Sequence, residues 1–126
     1  MISAVSPRVP PRWVPLTVLF GAAGLAHLLR PRGFDAIVPR VLPGRARAWT
    51  TWSGVAELAL AAGYAVPATR PLACRAAVAF LLAVWPANAQ MCVDAWRTGS
   101  PARRAVTTAR LPLQVPLLRA AWRAGS

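Results

Sequence analysis

The sequence contains no lysine, one histidine and three acidic residues, and these shortages restrict the chemistry that it can support. A single histidine without a Cys-x-x-Cys pair provides too few ligands for a transition-metal site. No haem-ligating pair or flavin-binding loop is evident, so we expect no metal and no evident cofactor. Cys74 and Cys92 lie 18 residues apart on one predicted helix. That separation is about 27 Å, which is too far for a disulfide bond.

Charged residues are also scarce. They make up 14% of the chain, against about 25% in an average soluble domain, whereas apolar residues make up 56%. This composition predicts a membrane protein whose first partner is the lipid bilayer. The net charge of +12 does not indicate a nucleic-acid partner, because the arginines flank the apolar runs, where they anchor helices to lipid headgroups.

The apolar residues fall into four runs, each near the length needed to cross a bilayer. They predict an all-α fold, a transmembrane four-helix bundle formed by a single domain over residues 1–126, with spans at 13–29, 50–66, 72–91 and 105–122. Pro112 and Pro116 interrupt the last run, which leaves open a three-span protein with one half-inserted helix. We expect residues 30–48, the connecting segment, to lie on the membrane surface, and residues 96–104 to form a polar loop.

Each predicted span carries one polar side chain in the same half of the bilayer. The four residues are His27, Glu57, Asn88 and Gln114. A carboxylate beside an imidazole can transfer a proton, which makes Glu57 and His27 candidate catalytic residues. The two amides are candidate ligand-binding groups, although amides also join helices by hydrogen bonds. Asn88 is also placed to donate to the backbone carbonyl that Pro86 leaves free.

Two tryptophans near the same side, Trp52 and Trp85, are further candidates for ligand binding. The competing interpretation is an aromatic belt at the membrane interface.

The order of several short motifs resembles the DoxX-like family of small bacterial membrane proteins. These motifs are Ala23-Gly24-x-x-His27, Ser53-Gly54-x-x-Glu57, Pro86-Ala87-Asn88 and Arg110-x-Pro112-Leu113-Gln114. The resemblance implies a multi-pass four-helix bundle in the bacterial inner membrane with a redox-associated function. The chain lacks the paired cysteines of more distant dithiol-linked relatives.

Three functions follow as hypotheses, and the sequence does not decide whether the chain is an enzyme. The first is a redox-associated subunit that binds a quinone or another lipid-soluble molecule among the polar side chains. The second is a non-catalytic assembly protein that docks a membrane or peripheral protein partner through residues 30–48. The third is a stand-alone acid/base enzyme, such as an isomerase, that acts on an apolar substrate with Glu57 and His27.

Overall fold

A computed structural model describes residues 8–125, and all regular secondary structure in that range is helical. The five helices, in chain order, are α1 (Trp13–Leu29), α2 (Pro31–Asp35), α3 (Ala46–Ala65), α4 (Arg70–Thr98) and α5 (Pro101–Arg123). The prediction of an all-α fold is therefore confirmed. The four long helices contain the four apolar runs, and the short helix α2 lies in the connecting segment.

The predicted polar loop over residues 96–104 is wrong in its bounds. Helix α4 continues to Thr98, and α5 begins at Pro101, so only two residues separate them. The Oγ of Ser100 accepts a hydrogen bond from the backbone N–H of Arg103 at 3.2 Å, which caps α5. Proline suits the first position of a helix because it needs no N–H donor there. The pair Ser100-Pro101 therefore begins a helix.

Helix α5 also continues through the two prolines that made its prediction ambiguous. Its 23 residues include both Pro112 and Pro116. At about 1.5 Å per residue its length is about 34 Å, slightly more than that of α3 and less than that of α4. The helix is therefore unbroken over both prolines, and whether it spans a membrane stays a prediction.

Helices α1 and α3 cross closely at two glycines. A Cβ atom added to Gly24 would lie 2.8 Å from the carbonyl oxygen of Gly54, and one added to Gly54 would lie 2.9 Å from the Cβ of His27. Only glycine permits this approach of the two backbones. Farther along α3, Gly63 packs against Ala73 of α4, whereas Ala59 is exposed.

The long helices form two pairs, α1 with α3 and α4 with α5, and the pairs join mainly through α3 and α4. The pairs are held together at one end of the bundle, which we call the closed end. There the Tyr64 side chain is fully buried, and its hydroxyl donates to the carbonyl of Ala121 at 2.9 Å. Phe20 stacks on Tyr64 with 6.2 Å between ring centroids. The start of α1 and the end of α5 meet at this end.

At the opposite end of the bundle, the connecting segment is held by two polar contacts. The Nε of Arg47 donates to Asp35 at 2.8 Å, and the indole N–H of Trp49 donates to the Pro43 carbonyl at 2.7 Å. Gly44 has a φ of 83°, which favours glycine at this turn. The neighbouring Thr50 hydroxyl, followed by Arg47, holds the pKa of the Asp35 carboxyl below its usual range. The segment is therefore fixed against α3 rather than extended away from it.

By length and hydropathy, α4 is the one helix within residues 8–125 that could cross a membrane unaided, and α1 is apolar but has only 17 residues. The most apolar 18-residue window of α4 is only 17% buried inside the protein.

Candidate functional site

A cavity of about 810 Å³ lies between the two helix pairs, toward the end covered by the connecting segment. Its volume falls within the range of small-molecule sites, about 300–1,000 Å³. All five helices and the connecting segment contribute to its wall, which is mostly apolar. The polar and charged side chains in the wall are His27, Thr50, Ser53, Glu57, Asn88, Arg110 and Gln114. The structure thus brings together the four polar residues that the sequence placed on four separate helices.

His27 and Glu57 form a close pair across the α1–α3 crossing. The Nδ1 of His27 lies 2.9 Å from Oε2 of Glu57 and 2.7 Å from the backbone carbonyl oxygen of Ala23. Each residue follows its crossing glycine by three positions, so each side chain lies on the same helix face as that glycine. The close backbone approach at Gly24 and Gly54 is therefore what brings the pair within contact.

The contact between these two side chains leaves a hydrogen-bonding position unfilled. A carbonyl oxygen can only accept, so Nδ1 of His27 carries the proton that is directed at Ala23. Oε2 of Glu57 is buried and has no partner of correct hydrogen-bond geometry among the described residues. A buried carboxylate oxygen without a donor is costly, and it can accept a hydrogen bond or a proton from a bound molecule.

The connecting segment contacts this pair directly. The ring of Phe34 in α2 stacks on the His27 imidazole, with 3.8 Å between centroids and 23° between planes. Ile37, Val38 and Leu42 also line the cavity. These apolar side chains of the segment therefore face the cavity, while Val41 is exposed, and Phe34 fixes the orientation of the imidazole.

The two amides play different parts. The Nε2 of Gln114 donates to the backbone carbonyl of Leu81 at 2.8 Å, and this hydrogen bond joins α5 to α4. Pro86 has no N–H, so the carbonyl of Leu82, the next residue, lacks its usual helical donor. Asn88 was expected to act near that carbonyl. Its side chain instead lies in the cavity wall, 5% exposed, and makes no hydrogen bond within residues 8–125. An unpaired buried amide is available to a ligand.

Arg110 is a cavity residue that the sequence analysis did not select. Within the predicted span 105–122 it directly precedes the most apolar part, residues 111–118, and arginine at such an edge is typical of a helix end at the membrane surface. The structure places it in the cavity wall beside Gln114. The two residues are four apart on α5, one helical turn, so they share a face. The four-residue spacing between Arg110 and Gln114 was therefore the feature of the sequence that could have identified Arg110 as a cavity residue.

The two candidate tryptophans differ in position. Trp52 belongs to the cavity wall, together with Trp49, whereas Trp85 lies outside it. A ligand-binding role for Trp85 stays a prediction without a contact to support it.

The cysteines are both free and lie on α4, where Cys74 contacts the carbonyl of Trp122 and Cys92 contacts Thr108. Among residues 8–125, no group of three or more His, Cys, Asp or Glu side chains could hold a metal ion.

Residues 16–125 match the protein family described as Domain of unknown function (DUF8561), and the chain belongs to this family. No curated protein and no solved structure matches the chain. The resemblance to the DoxX-like family stays a prediction.

We predict that Gly24→Ala destabilises the protein, because the new Cβ would meet the Gly54 carbonyl oxygen and force α1 and α3 apart, at a cost of roughly 1–3 kcal/mol. The gain in helix propensity, about 1 kcal/mol, offsets part of this cost, so the net loss of stability is up to about 2 kcal/mol. Chemical unfolding followed by circular dichroism measures the change. The matched control is Gly33→Ala, where a Cβ meets nothing within 4 Å. Equal stability of the two variants would contradict the need for a close crossing.

Proposed function

We propose that this member of the DUF8561 family is a multi-pass protein of the bacterial inner membrane, in which α1, α3, α4 and α5 form a transmembrane four-helix bundle. The bundle is DoxX-like in its expected architecture. The low burial of α4 supports this proposal, because the central helix of a soluble protein would be mostly buried. Helix α1 is near the lower length limit for a span, and α3 and α5 are long enough.

The surface of the bundle supports a membrane location. Large apolar side chains are exposed on every long helix, and extensive exposed apolar surface is unusual on a soluble monomer. Examples, one or two from each long helix, are Val18, Leu25, Val55, Leu72, Leu82, Val106 and Val115. Lipid chains would cover these side chains, while the polar residues of the same helices face the internal cavity.

Within that bundle, we infer that the cavity binds a quinone or a similar lipid-soluble molecule, and that the protein serves as a redox-associated subunit. The observation that carries this inference is the His27–Glu57 pair, with 2.9 Å between Nδ1 and Oε2, in the wall of an otherwise apolar cavity. An apolar site with a few convergent polar groups is the usual form of a small-molecule site. Quinone reduction consumes protons, which a carboxylate and an imidazole can exchange.

The two other hypotheses have less support. A docking role for residues 30–48 needs apolar side chains that face outward, but Ile37, Val38 and Leu42 line the cavity. Val41 is the large apolar side chain that the segment exposes, beside several exposed arginines. A stand-alone acid/base enzyme would use the same His27–Glu57 pair. Turnover of an apolar substrate by the purified chain alone would distinguish that enzyme from a binding subunit.

The proposal predicts that a lipid-soluble molecule co-purifies with the protein and that Ala87→Phe removes it. Ala87 lies in the cavity wall, so a phenyl ring there occupies the space of the ligand. Mass spectrometry of an organic extract measures the bound molecule. The matched control is Ala89→Phe, the same change on the exposed face of α4 two residues away. Wild-type protein without any bound molecule, or equal retention in both variants, would count against the cavity as a binding site.

We predict that Glu57→Gln binds a short-tailed benzoquinol but no longer takes up its proton, because an amide cannot titrate. Infrared difference spectroscopy, free against bound, detects the protonated carboxyl group that forms when Glu57 takes up the proton. His27→Ala should reduce this carboxyl signal, since the imidazole is the neighbour of the carboxylate. Gln114→Ala, which removes a contact to the Leu81 backbone, should weaken binding and leave the signal of the bound complex unchanged. The same carboxyl signal in Glu57→Gln would assign the carboxylate a structural role.

The membrane topology has a direct test. Single cysteines replacing Val9, before α1, and Gly33, in α2, should be labelled from opposite sides of sealed inner-membrane vesicles. Both positions are exposed, and α1 lies between them. The background chain carries Ala at positions 74 and 92 to remove the native thiols. Labelling of both cysteines from one side would exclude a transmembrane α1.

A further inference from the structure

Arg110 is the one arginine, among the residues that the structure describes, in the wall of the cavity. Its side chain is half-buried, and it forms no hydrogen bond or close ion pair within residues 8–125. A guanidinium has five N–H donors and no acceptor, so it requires oxygen atoms as partners. The other arginines lie outside this cavity. The position of Arg110 therefore calls for an explanation other than anchoring to lipid.

The charge of Arg110 acts on both members of the proton-exchanging pair. Its guanidinium lies in the wall of the same cavity as Glu57 of α3 and His27 of α1. Helix α4 contributes no charged side chain to the cavity wall, and α2 contributes only Phe34. The electrostatics of the cavity therefore depend on these three groups, with a proton acceptor and a permanent cation within reach of one bound molecule.

Several polar groups of the cavity wall lack hydrogen-bond partners, and these groups indicate which chemical groups a ligand would need. Oε2 of Glu57 lacks a donor, and the guanidinium of Arg110 lacks an acceptor. The side-chain amide of Asn88 lacks both a donor and an acceptor partner. A ligand hydroxyl group can pair first with Glu57 and then with Arg110. It donates to the carboxylate while protonated, and its oxygen accepts from the guanidinium once the proton has left.

We propose that Arg110 determines the class of ligand, and that the cavity takes an apolar ring compound with an acidic hydroxyl group and holds it as its anion. This inference rests on the proposed binding function of the cavity. In the step itself, the O–H bond of the ligand breaks and the proton forms a new O–H bond on Glu57. No electrons are transferred. The positive charge of Arg110 favours the oxyanion, as an opposite charge within a few ångströms does for any acid.

Two synthetic probes test this assignment: an alkyl-substituted hydroxynaphthoquinone, and its O-methyl ether, which cannot donate or ionise. Calorimetry in detergent measures their affinities for the wild-type protein. We expect the hydroxyl compound to bind at least about tenfold more tightly, since hydrogen bonds to charged groups contribute about 1.5–3 kcal/mol. Its visible absorption should show the ionised form when it is bound at a pH where the free compound is largely protonated.

Variants of α5 then identify the cation responsible. Arg110→Gln should reduce the preference to about twofold or less and abolish the spectral change, whereas Arg110→Lys should keep a preference because it keeps the charge. The control is Arg119→Gln, which removes an exposed arginine of the same helix and should behave as the wild type. Unfolding curves of each variant establish that it is folded.

The outcomes are distinct. Preference for the hydroxyl compound that disappears in Arg110→Gln supports the assignment. Equal binding of both probes by the wild type overturns it and leaves the proposed binding function in place, and so does a preference that persists in Arg110→Gln. Failure of the wild type to bind either probe removes the inference together with the proposed binding of quinone-like molecules.

Discussion

The close crossing of α1 and α3 is the constraint on which the rest of the site depends. Backbone atoms of Gly24 and Gly54 approach so closely that a single added Cβ would collide on either helix. About one turn farther along, the same helix faces carry His27 and Glu57. Because the helices are close, Nδ1 of His27 lies 2.9 Å from Oε2 of Glu57. A wider crossing would place the same residues in the cavity as separate polar groups.

The cavity results from unequal packing along the bundle. At the closed end, Tyr64 joins α3 to α5 and the Cys74 thiol donates to the carbonyl of Trp122, so the two helix pairs are in firm contact. The side chains that fill this end are mostly small or aromatic. Toward the other end, the pairs diverge, and the connecting segment covers the space between them. One end therefore stabilises the fold, and the other is free to bind a molecule.

The sequence predicted the helices well where apolar runs are long, and poorly where polar residues lie within a helix. Thr98 was assigned to a loop because composition there is polar, yet the helical backbone continues to that residue. The four inward polar residues were predictable, since each interrupts an apolar run. Arg110 was not selected because an arginine at the edge of such a run has a common alternative role, and only its spacing from Gln114 indicated the shared face. The distance between the two pairs, and hence the cavity volume, depends on packing between distant segments and cannot be derived from local patterns.

The two cavity amides show how scaffold and binding surface are separated. Gln114 uses its Nε2 to hold the Leu81 backbone, so its position is fixed whether or not a ligand is present. Asn88 is equally buried and has no such partner in the described chain. Its amide lines the cavity, so a molecule in that space can supply the missing hydrogen bonds. With Glu57 and Arg110 similarly incomplete, three helices present unsatisfied groups to one space, which favours a binding role for that space over an accidental packing defect.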